Sequence, residues 1–106
     1  MPRYLLRVSY TADGLKGVLK EGGSARRDAA RQVVESVGGT MDSFYFAWGD
    51  TDAYLVANMP DAESAAAAAM TVSASGAAMC STTVLIEPEE MDRAVQKHAE
   101  YRPPGT

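Results

Sequence analysis

The chain holds one cysteine, one histidine and one tryptophan among its 106 residues. A lone Cys80 excludes an internal disulfide and suits a reducing compartment, so a cytoplasmic protein is expected. One His and one Cys cannot build a typical zinc site, and no metal is expected. No phosphate-binding loop and no GxGxxG run occurs, so no nucleotide cofactor is expected either. Basic residues are outnumbered. Ten Lys and Arg against fourteen Asp and Glu leave a net charge of −4, and only Arg26 and Arg27 adjoin. That balance disfavours nucleic acid, because phosphate binding needs a basic surface. No stretch approaches the ~18 consecutive apolar residues that cross a bilayer. The opening Met1-Pro2-Arg3-Tyr4 lacks the apolar core of a signal peptide. Neither a membrane nor a nucleic acid is expected as a partner.

What is present reads as one ordinary domain: 46% of the residues are hydrophobic and 23% charged. The organising stretch is residues 44–57, where two β-rich runs meet at Gly49-Asp50. Gly followed by Asp between such runs predicts a hairpin, since Gly reaches positive φ without steric cost. Upstream, residues 4–10 alternate as a first strand, and Thr11-Ala12-Asp13-Gly14 reads as a turn. Residues 15–19 make at most one helical turn. Ser24 is an N-cap for a helix over residues 24–37, with Ala25, Ala29, Ala30, Val33, Val34 and Val37 as its apolar stripe. Arg26, Arg27, Arg31 and Glu35 fall mostly off that stripe. Gly38-Gly39 stops the helix. Residues 41–48 and 51–58 are the paired strands.

Downstream, Asp61 caps an alanine-rich helix over residues 62–72. Residues 80–86, rich in β-branched side chains, form the last strand. Pro88 with flanking acids opens a C-terminal helix, which carries Met91, Ala94, Val95 and His98. Residues 102–106 form a frayed tail.

The order β-α-β-β-α-β with a terminal helix is that of a ferredoxin-like α+β fold. Right-handed crossovers put the main helices on one face of a four-stranded antiparallel sheet, in the strand order fourth, first, third, second. Ranked by bulk, Leu6, Val8, Phe44, Phe46, Tyr54, Val56, Val84 and Ile86 face the helices. There, large sheet residues meet small helix residues and fill the core. Leu5, Arg7, Ser9, Ser43, Tyr45, Ala47, Ala53, Leu55, Ala57, Ser81, Thr83 and Leu85 form the open face. Leu5, Tyr45, Leu55 and Leu85 make that face too apolar to lie in water, which predicts a symmetric dimer through it.

The opening Met1-Pro2-Arg3-Tyr4 with Tyr10-Thr11, the helix ending at Gly38-Gly39, the aromatic strand before Gly49-Asp50-Thr51-Asp52, and Thr82-Thr83 in the last strand together resemble the GYD family of small bacterial proteins. Its namesake motif is a glycine followed closely by tyrosine and aspartate at the hairpin. Gly49 and Asp52 match it, while Thr51 stands where the tyrosine is usual. The resemblance covers about residues 1–91 and implies a dimeric α+β barrel, in agreement with the dimer read from the open face.

No catalytic set emerges. His98 sits near a helix end, where imidazolium is mildly stabilised. Cys80 has no partner base and reads as a small strand residue. Asp50 and Asp52 are an i, i+2 pair that could raise one another's pKa. The simpler role is Asp50 shaping the turn and Asp52 bonding nearby backbone. Arg7, on a central strand and on the open face, needs a carboxylate across a dimer. Alternatively it binds an anionic or aromatic small molecule with Tyr45, Trp48 and Thr83 around it. Two functional classes follow. The favoured one is a non-enzymatic homo-oligomeric module that binds a small molecule in a cleft on the open sheet face. The other is a cofactor-free enzyme, an isomerase or monooxygenase acting on a small aromatic or anionic substrate, by analogy of fold. A purely structural subunit without a cleft is a third possibility.

Overall fold

The computed structural model describes residues 1–106. Its elements are β1 (Arg3–Tyr10), α1 (Ala12–Glu21), α2 (Gly23–Ser36), β2 (Thr40–Phe46), β3 (Ala53–Asn58), α3 (Ala62–Ala74), β4 (Ala78–Leu85) and α4 (Pro88–Ala94). The four strands pair antiparallel in the order β2-β3-β1-β4, the arrangement expected of a ferredoxin-like fold.

The first crossover holds two helices rather than one. Thr11-Ala12-Asp13-Gly14 is not a turn but the start of the ten-residue α1. Thr11 is its N-cap and accepts the Gly14 N–H through Oγ1 at 3.2 Å. Gly22, at φ 86°, breaks α1 from α2, so α2 starts at a glycine corner and not on a Ser24 cap. The stop at Gly38 is as expected. Gly38 takes φ 87°, and the Gly38 and Gly39 N–H groups bond the Glu35 and Val34 carbonyls. Asp61 caps α3 as expected, accepting the Ser64 N–H at 2.7 Å. Glu87 and Glu90 form a capping box ahead of α4. α4 ends at Ala94, so His98 lies beyond the helix and not at its C-terminus.

The hairpin loop also differs from the expectation. Gly49 does not take positive φ; Trp48 does, at 54°. The strands end at Phe46 and resume at Ala53, which leaves a six-residue loop closed by the Ala47 N–H on the Asp52 carbonyl at 2.9 Å. A bulky residue in the left-handed region needs compensation. Here the Trp48 ring stacks on Phe46, with centroids 5.4 Å apart and planes 5° apart.

On the helix side of the sheet, Leu6 and Val8 of β1 are buried as expected, and Tyr4 is buried with them. β3 is inverted relative to the expectation. Ala53, Leu55 and Ala57 are buried at 0, 4 and 0% exposure, and Tyr54 and Val56 face the open side. Register decides this, not bulk. Leu55 sits opposite both Leu6 and Phe44, so it shares their face. The small Ala53 and Ala57 lie between Phe46 and Val8 and between Met41 and Tyr4. A bulge between Met41 and Ser43 lets Met41 face the core with Phe44 and Phe46. Val84 also has the core parity, opposite Tyr4, yet it and Ile86 are more than half exposed. The end of β4 runs past the helix layer.

Candidate functional site

The helix layer is built from small residues, and they do not fill the space over the sheet. Ala29, Ala30 and Val33 of α2 face Ala68 and Val72 of α3 across Leu6, Val8, Phe44 and Leu55, and a cavity of about 110 Å3 remains between them. The expected close filling of the core is thus incomplete. A second chamber of about 320 Å3 adjoins it, lined by α1 through Asp13 and Gly17, by α3 through Thr71 and by Ser75 just past its end. Tyr10, Arg26, Val33, Val72 and Ala78 belong to both walls. The two chambers form one cleft, apolar inside and polar towards its mouth. Engineered apolar cavities of about 150 Å3 take benzene, so the inner chamber is on the scale of one small ring.

Arg26 is the one charged side chain on the inner wall. The corner at Gly22 positions it, because it brings the last residue of α1 back against α2. Glu21 Oε2 lies 3.3 Å from Arg26 Nη1. The Arg26 guanidinium also stands against the Tyr10 phenol. Burial raises the Tyr10 pKa above its ordinary value; Arg26 opposes the rise and Asp52 adds to it. Tyr10, like any phenol at neutral pH, is a protonated donor, and the shift carries it further from ionisation. Cys80 reaches the inner wall from β4, and burial pushes its thiol up too. The floor continues into an aromatic run. Phe44 and Phe46 meet edge-on with centroids 5.0 Å apart, Phe46 stacks on Trp48, and Trp48 lies 6.2 Å from Tyr10.

The residues singled out from sequence do not converge. Arg7, Tyr45 and Thr83 lie on the open face, all exposed. Register puts Tyr45, Tyr54, Arg7 and Ser81 in one row across the sheet, with Thr83 one row away beside Leu5. Trp48 is on the other side, stacked over Phe46, and lines neither chamber. Both chambers lie under the helices and not on the open face. In the hairpin, Gly49 and Asp50 are exposed, and the Asp52 carboxylate accepts a backbone N–H from distant Tyr10 and not the local bond expected of it.

Tyr10 and Arg26 escaped the sequence reading. The signal for Arg26 was there: 26, 29, 30, 33 and 37 follow helical spacing, so Arg26 lies on the apolar stripe. It is half-buried where Arg27 and Arg31 are exposed, and Ala25, counted on the stripe, is exposed.

The fold and its helix-side cleft define a ferredoxin-like α+β protein with four helices and one antiparallel sheet. Residues 4–95 match the GYD domain family, and the chain belongs to it. No curated protein matches the chain. No helix is long and apolar enough to cross a membrane.

Proposed function

We propose that this protein is a homo-oligomeric cytoplasmic module that binds a small, largely apolar molecule bearing an anionic group in the cleft between α2, α3 and the sheet. The observation that carries this reading is the single cation, Arg26, set with a protonated Tyr10 at the mouth of an otherwise apolar chamber. Such a chamber selects a ring by burial and a carboxylate-like group by charge-assisted hydrogen bonds. Binding is favoured over general-base catalysis because Tyr10 and Cys80, ordinarily protonated at neutral pH, are pushed by burial further from ionisation. The cleft replaces the open-face location expected from sequence.

The open face serves a different role in this reading. Leu5, Tyr54, Val56 and Leu85 are half-buried there, and Tyr45 and Met79 are exposed. We assign that face to a second copy.

Isothermal titration with a panel of aromatic carboxylates and their neutral amides tests the ligand reading. The carboxylates bind the wild type, and Arg26→Met weakens them at least tenfold while leaving the amides unchanged. Equal binding of acid and amide, or equal binding by Arg26→Met, overturns it. Sedimentation of Val56→Asp tests the face. A shift to monomer is expected, and an unchanged dimer overturns the assignment.

A further inference from the structure

The C-terminal arm stands apart from the body. Every residue from Ile86 to Thr106 is exposed. The molecule is 56 Å long against 33 and 22 Å in the other directions, and its radius of gyration is 16.7 Å. A compact chain of this length has about 13 Å. Yet its first stretch, residues 87–94, is built, not frayed. Its root is tied to β1 by Glu87 Oε1, 3.6 Å from Arg3 Nη1. The capping box and Pro88 start α4. An isolated helix of seven residues is marginal in water, where about 12–15 are needed, so packing of one face would stabilise α4. Met91 and Val95, four apart and so on one face, are half or more exposed, as is Ile86 at the root.

We propose that the arm is a clasp between subunits, its Met91–Val95 face packed on a second copy of this chain. This rests on reading the open sheet face as the dimer surface, and three observations commit it to that occupant. The first is continuity. Leu85, the last residue of β4, lies opposite Arg3 on the open face, so the arm leaves from the rim of that surface. The second is area. Four strands about 4.8 Å apart and six to eight residues long give a footprint of about 450 Å2, short of the ~800 Å2 per partner in a standard interface. The arm supplies the remainder. The third is charge. Arg7 stands on the open face in none of the chain's ion pairs, and on the arm Glu89 and Asp92 are in none either. An unpaired cation on one copy meets unpaired acids on the arm of the other.

Sedimentation equilibrium on the full chain tests this with M91D/V95D and, as a control, Leu19→Asp at an exposed site on α1. The double variant is expected to dimerise at least tenfold more weakly, with the control unchanged. A dissociation constant within twofold of wild type overturns the clasp. If Val56→Asp gives monomer while M91D/V95D does not weaken the dimer, the clasp alone falls; if wild type never self-associates, the sheet-face reading falls with it. Because the substitutions could fray α4 itself, hydrogen exchange on wild type is the second measurement. Amides of residues 91–95 are expected to be protected at high concentration and to lose protection on dilution. Exchange at the rate of an unstructured chain at every concentration overturns the proposal.

Discussion

The carboxylate of Asp52 accepts the backbone N–H of Tyr10 at 2.8 Å, across 42 positions of chain. The Asp52 N–H returns a bond to the Val8 carbonyl at 3.0 Å. One residue of the hairpin loop thus continues the β1–β3 ladder past the last strand pair, and its side chain fixes the backbone that carries Tyr10 into the cleft. Asp52→Ala leaves the Tyr10 N–H without this partner and is expected to cost about 1.5–3 kcal/mol, the range for a bond to a charged acceptor. Urea denaturation at pH 7 measures it. Asp52→Asn, which keeps an acceptor oxygen, loses less.

Burial, with Asp52 adding to it, holds the Tyr10 pKa above 10.0, the ordinary value. The sign of the linkage follows. Above pH 10 the unfolded chain gives up this proton before the folded one does, so folding binds more protons and stability falls with rising pH. The contribution is complete below pH 10 and lost as pH climbs through the folded value. Chemical denaturation between pH 9 and 11 is expected to show a steeper loss for wild type than for Tyr10→Phe.

Cys80 is half-buried in β4 and its thiol is pushed up by desolvation. Less thiolate and less access both slow its chemistry. Native protein at pH 8 is expected to react with a disulfide reagent well below the rate of the same chain in denaturant. Equal rates would contradict the packing of Cys80 beneath the helices.

These particulars separate what the sequence reveals from what it hides. The strand order was legible because turn residues and alternation punctuate the chain at Gly38-Gly39, Asp61 and Pro88. The face of β3 was not, because both of its side-chain sets are apolar and only pairing with Leu6 and Phe44 chooses between them. Thr11-Ala12-Asp13-Gly14 reads equally well as a turn or an N-cap, and the capping bond at Gly14 decides it. The cleft was hidden more deeply. Alanine in a helix signals close approach to a sheet, and sequence alone does not show that Ala29, Ala30 and Ala68 leave space instead of filling it.

Filling that space is itself a test. Ala68, buried on α3, lines the inner chamber. Ala68→Leu is expected to raise stability by about 0.5–2 kcal/mol, as cavity-filling substitutions commonly do, and to abolish binding of aromatic carboxylates. Thermal denaturation and titration on the same sample read both effects. Ala30→Leu, reaching the chamber from α2, is expected to act alike.

A crystal of the chain soaked with an aromatic carboxylate tests the central claim most directly. Ring density between Ala30 and Phe44, with the carboxylate turned to Arg26 and Tyr10, is the expected result. Density confined to the open face beside Arg7 and Tyr45, with the chamber under the helices empty, would contradict it.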